Sequence, residues 1–79
     1  MKFRTAIPDK VRFIDLFGAL YYIDWENLPR GGSFFLPTTA TAGQVRDALK
    51  AAKKHFDFEF ETRARREYGR YGVRVWRTY

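Results

Sequence analysis

The sequence predicts an α+β domain in which a small antiparallel sheet packs on one main helix and the chain closes in a C-terminal β-hairpin. Three observations carry this prediction. Val45, Ala48, Leu49, Ala52 and Phe56 recur at i, i+3, i+4, i+7 and i+11, the spacing of one helix face. After His55 the period drops to two: Phe56, Phe58, Phe60, Thr62 and Ala64 fall on one side and Asp57, Glu59, Glu61, Arg63 and Arg65 on the other, as in a half-buried strand. Ser33-Phe34-Phe35-Leu36, set between Gly31-Gly32 and Pro37, reads as a third short strand.

The elements follow in order. Phe3, Thr5 and Ile7 alternate with Lys2, Arg4 and Ala6, an expected strand stopped by Pro8-Asp9. From Val11 to Trp25 the period is ambiguous. Two strands bending near Gly18 suit the Phe, Tyr, Ile and Trp content, whereas a helix from Asp9 to Asp24 would place Ile14, Phe17 and Tyr21 together. Glu26 to Gly32 is turn material, with Pro29 fixing one φ and two glycines allowing positive φ. Thr41 and Gln44 are spaced as a capping box opening a helix of about four turns. The exposed side of that helix carries Arg46, Lys50, Lys53 and Lys54. Three of these cations fall in its last two turns, where the macrodipole also favours them. The whole is expected to form one domain over 1–79, with 26–79 as a β-α-β-β module.

A chain of 79 residues buries only about 60% of the surface its unfolded form exposes, so its stability is marginal. It has no cysteine, which excludes disulfides, thiolate zinc sites and a cysteine nucleophile and suits a reducing cytosol. The 19% aromatic content supplies the bulk from which a short chain can build a core. The longest apolar run, Leu16 to Ile23, is far short of the roughly 20 residues that span a bilayer. Lys2 and Arg4 are not followed by an apolar stretch with a cleavage site, so no secretory signal and a cytoplasmic setting are expected.

Net charge is +6, and it is concentrated: +1 over 1–40, zero over 41–61 and +5 over 62–79. A basic excess confined to one element is the electrostatic footprint of a polyanion binder, although it can also be solubilising charge. All six cations of the last segment are arginine, whose rigid fork of donors matches phosphate, while the preceding helix uses lysine freely. Tyr68, Tyr71 and Trp76 are interleaved among them and could stack on bases or on guanidinium planes, with Tyr71 equally able to fold back as core. Pairing the apolar sets across the hairpin brings Arg63, Arg65 and Arg74 onto one open face near the turn, with Val73 and Val75 facing the core. Glu59 and Glu61 are expected either as cross-strand partners of Arg74 and Arg77 or as acids that keep the helix-hairpin junction from repelling itself.

Catalysis finds little support. His55 is a lone histidine at a helix end with no orienting carboxylate at a recognisable spacing. Asp24 and Glu26 could share a strand face, but two carboxylates supply too few oxygens for a hard-cation cage. Arg30-Gly31-Gly32 lacks the repeats of an RNA-binding box and the lysine of a phosphate loop. No enzyme, cofactor or metal is therefore expected. The expected partner is nucleic acid, DNA in preference to RNA, held by Arg63, Arg65, Arg66, Arg70, Arg74, Tyr68 and Trp76. The hairpin would lie along a groove while Arg46, Lys50, Lys53 and Lys54 touch the adjacent backbone. The alternative is a small interaction protein that uses the same arginine and aromatic surface on another protein. Pairing of the amino-terminal segment with another copy would give a homodimer.

Gly32-Ser33-Phe34-Phe35-Leu36-Pro37, the following helix, Phe60-Glu61-Thr62-Arg63 and the closing Tyr71-Gly72-Val73-Arg74-Val75-Trp76-Arg77 resemble a group of small uncharacterised proteins encoded in bacteriophage and prophage genomes. The likeness covers about Trp25 to Arg77, with Leu36 where valine is commoner. It implies a phage origin and the cytoplasm of an infected bacterium, and it supplies no activity.

Overall fold

The computed structural model of the protein describes residues 7–79. It is α+β, with a two-stranded and a three-stranded antiparallel sheet. The expected strand through Phe3 and Thr5 lies outside the described residues; Ile7 is half-buried against the core.

Pro8 starts a single helical turn, α1 (Asp9–Arg12), its carbonyl accepting from the amides of Val11 and Arg12, both at 2.9 Å. The helix ends there. Strands β1 (Phe13–Leu16) and β2 (Ala19–Tyr22) form a hairpin, so the two-strand reading of this stretch holds and the long helix does not. Phe17 and Gly18 have φ of 57° and 87°, a type I′ turn whose twist suits a two-residue hairpin, and Asp15 Oδ1 accepts from the Gly18 amide at 2.8 Å. The hairpin forms a sheet of its own and does not extend the main one. Its alternation buries Ile14 and Leu16 on the side that meets the helices, and Tyr21 Oη donates to the Pro37 carbonyl at 2.6 Å.

A 3-10 turn (Trp25–Asn27) leads to β3 (Ser33–Pro37). The predicted four-turn helix is found as two pieces, α2 (Ala42–Ala48) and α3 (Lys50–Phe56), joined at Leu49. The capping box is present in full: Gln44 N donates to Thr41 Oγ1 at 3.1 Å and Thr41 N to Gln44 Oε1 at 2.8 Å. Phe56, which fits both the helix spacing and the strand parity, belongs to the helix. Asp57, at φ 61°, stops α3 in the left-handed conformation, and β4 (Phe60–Glu67) begins three residues later. The period-two face survives this correction, because Phe56, Phe58 and Phe60 all turn inward to Trp25.

Strand β5 (Arg70–Arg77) lies between β3 and β4. The Ser33–Pro37 stretch and the closing strand are thus neighbours, paired from Ser33 opposite Trp76 to Pro37 opposite Gly72. Val73 and Val75 are fully buried, as expected, and with Leu36 and Thr62 they form the face on which Val45, Leu49 and Ala52 of the helices pack. Fully burying a Val or Leu side chain contributes about 1.5–3 kcal/mol each. Trp25 fills the other end of the core. It is 3% exposed, donates Nε1–H to the Val11 carbonyl at 2.8 Å, and meets the rings of Phe34, Phe56, Phe58 and Phe60 at centroid distances of 5.5–6.3 Å.

Candidate nucleic-acid interface

The helices cover one face of the sheet and leave the other open. Strand periodicity decides what the open face carries. Across β3, β5 and β4 its rungs are Ser33-Trp76-Glu61, Phe35-Arg74-Arg63 and Pro37-Gly72-Arg65. Beyond Gly72, β3 has ended and β4 and β5 continue as a two-stranded ribbon with the pairs Arg66-Tyr71 and Glu67-Arg70. The turn is Tyr68-Gly69, with φ of 55° and 74°, again type I′.

The six arginines of this hairpin fall into four groups. Arg74 is structural: Nε and Nη2 grip Glu67 at 2.7 and 2.6 Å, and Nη1 donates to Ser33 Oγ at 2.8 Å. That grip holds the Glu67 carboxyl below its ordinary range and raises the guanidinium. Arg77 turns to the aromatic end of the core, 3.6 Å above the Phe58 ring and donating to the carbonyls of Leu28 and Tyr79. Arg63 and Arg65 lie on the open face in loose pairs, 3.3 Å from Glu61 and 3.4 Å from Glu67. The Arg63–Glu61 pair is exposed on both sides, and pairs of this kind contribute little and exchange readily. Arg66 and Arg70, at the tip, make no ion pair among the described residues.

Three expectations change here. Glu59 and Glu61 do not partner Arg74 and Arg77: Glu59 takes Lys53 at 3.2 Å and Glu61 takes Arg63. The true partner, Glu67, sits on the same open face, close enough across the ribbon to reach Arg74. Tyr71 does not fold back as core; it is 69% exposed, with the Arg66 guanidinium 4.5 Å from its ring. The helix cations Arg46, Lys50, Lys53 and Lys54 are exposed on a layer that covers the opposite side of the sheet from Arg63, Arg65 and Arg74. A single flat docking surface cannot use both sets. Tyr68, in the turn between β4 and β5, is 89% exposed.

Trp76 lies half-buried on the open face. It borders a cleft of about 370 Å³ lined by Gly31, Glu61, Arg63, Trp76, Arg77 and Thr78, and the Arg65 guanidinium is 5.9 Å from its ring. Phe35, on the same face, was missed in the sequence reading. The signal was available, since Phe34 and Leu36 inward force Phe35 outward.

The remaining candidates stay apart from this surface. Glu26 is in a bidentate pair with Arg12, and Asp24 accepts from Asn27 Nδ2 at 2.8 Å, so these acids hold a turn. His55 meets the Phe56 ring edge-on at 4.7 Å. Among the described residues no group of three or more His, Asp or Glu side chains is placed to hold a metal ion, and no helix is long and apolar enough to cross a membrane. No protein-family model matches the chain, and no curated protein or solved structure gives a significant match.

Proposed function

We propose that the protein binds nucleic acid through the end of the β4–β5 hairpin, with Arg66 and Arg70 on phosphates and Tyr68 and Tyr71 against bases or sugars. The observation that carries this reading is Tyr68. A bulky side chain in the left-handed region costs stability, and type I′ turns favour asparagine or glycine there. This ring is 89% exposed, so core packing does not offset the cost. Strain kept at an exposed aromatic beside two acid-unpaired arginines supports a binding role. Arg63 and Arg65 share the open face with Arg70 and extend the basic surface along it, while Arg66 and Tyr71 lie on the other side of the ribbon; the likeness to phage-encoded proteins supports a role in an infected bacterial cell.

A salt-titrated gel-shift panel of single- and double-stranded DNA and RNA tests the proposal. Log affinity should fall steeply with log salt, and Arg66→Ala and Arg70→Ala should each flatten the slope by about one unit. A complex indifferent to salt, or none with any of the four, overturns it.

A second reading, binding and modulation of a host protein, has its own observation. The β1–β2 hairpin exposes Phe13, Phe17, Leu20 and Tyr22, with Phe17 at 70% and Leu20 at 66%. Exposed apolar groups clustered on one hairpin mark interaction surfaces. On that reading Phe17→Asp abolishes capture of a single partner and leaves nucleic-acid affinity unchanged.

A further inference from the structure

We infer that the cleft beside Trp76 takes one base of a single-stranded polynucleotide, stacked on the indole, with a flanking phosphate on Arg63. The inference rests on the nucleic-acid reading above and narrows it to a strand type and a base class.

Size and access come first. The cleft volume of about 370 Å³ lies within the roughly 300–1,000 Å³ of small-molecule sites. Its rim at Gly31 is held by the Gly31 amide donating to the Arg77 carbonyl at 2.7 Å. Gly31 sits at φ 85°, and no neighbouring atom lies within 4 Å of where its Cβ would stand, so the mouth on that side is open. The floor is Trp76, on the central strand of the sheet, where the ladder fixes its position.

Chemistry then selects the occupant. An indole can stack only on a base whose face is uncovered, and in a duplex both faces are taken by neighbours. Arg63 is 68% exposed in its side chain and tied to Glu61 only at 3.3 Å, so a phosphate can replace that contact. Glu61, directly opposite Trp76, then presents a carboxylate with acceptor capacity. A carboxylate accepts from the exocyclic amino group of cytosine and repels the carbonyl that thymine presents in its place. The site should therefore favour oligo-dC over oligo-dT.

The full chain is titrated with oligo-dC, oligo-dT and a duplex, following both anisotropy of the labelled nucleic acid and tryptophan emission. Trp25 is 3% exposed, so quenching reports on Trp76, and Trp76→Phe supplies the Trp25 background. Single strands should quench emission and the duplex should not. Trp76→Ala should weaken single-strand binding about tenfold and leave duplex binding unchanged. Trp76→Phe should keep most of the affinity, and Glu61→Gln should erase the dC preference. Single-strand binding with unchanged emission and an unaffected Trp76→Ala variant would overturn the cleft assignment alone, leaving the hairpin tip as the contact. Absence of any complex at low salt would overturn both.

Discussion

Phe35 and Gly72 share one space on the open face of the sheet. A Cβ placed on Gly72 would lie 2.5 Å from Phe35 Cζ and 2.3 Å from the Leu36 carbonyl oxygen. The first contact could be relieved by moving a ring, but the second is with backbone. Gly72→Ala is therefore expected to part the Pro37 end of β3 from β5 and destabilise the protein by about 1–3 kcal/mol. Thermal unfolding checks this, at roughly 4–8 °C for each kcal/mol in a domain of this size.

Trp25 joins the aromatic end of the core. Trp25→Ala removes the ring that Phe34, Phe56, Phe58 and Phe60 surround and should cost about 3–5 kcal/mol. Against a total near the low end of about 5–15 kcal/mol, that leaves the protein at the edge of unfolding. Trp25→Phe keeps most of the packing but leaves the buried Val11 carbonyl without its donor, a loss of about 1–3 kcal/mol. Denaturant titration of both variants separates packing from hydrogen bond.

Much of this was legible in the residues because it depends on local rules. The capping box at Thr41 and the inward Val73 and Val75 follow from spacing alone, and the hairpin near Gly18 from the strand-favouring residues around a glycine. What escaped depends on contacts between distant segments. Strand parity could not tell that Asp57 would adopt a left-handed conformation and keep Phe56 in the helix. Nor could it choose between Glu61 and Glu67 as partner for Arg74, because both lie on the same face and only the reach of the side chains decides. The separation of the helix cations from the open face follows from which side of the sheet the helices cover. No residue count contains that.

Tyr68→Asn separates strain from function. Asparagine tolerates positive φ, so the turn should be stabilised by about 1 kcal/mol, visible as a higher melting temperature. Nucleic-acid affinity should fall at the same time. A variant both more stable and equally tight would show that the ring contributes nothing to binding.

Arg74 and the tip arginines should behave differently. Arg74→Ala strips Glu67 of its two short charge-assisted bonds, and the melting temperature should drop while the salt slope of binding hardly changes. Arg66→Ala and Arg70→Ala should leave the melting temperature alone. A matched set of melting curves and salt titrations on these three variants tells the two roles apart.

Acid should reveal the Arg12–Glu26 pair. The bidentate guanidinium holds the Glu26 carboxyl at about 2, down from its ordinary 4.5. Because the folded value is depressed, the unfolded chain takes up the proton first. The contribution is complete above about pH 4.5 and is lost as pH falls toward 2. Glu26→Gln should be less stable at neutral pH and should show a shallower decline over that interval, measured by urea unfolding at stepped pH.

The strand that comes last along the chain stands in the middle of the sheet. Emerging from a ribosome, β3 and β4 have nothing to zip onto until residues 70–77 appear, so assembly is expected to wait for the final segment and then close at once. The β4–β5 ribbon, joined by two residues, forms with the least loop to order, and β3 must then be recruited across the two helices. Cutting the polypeptide ahead of Arg70 would leave no paired strands of the three-stranded sheet behind.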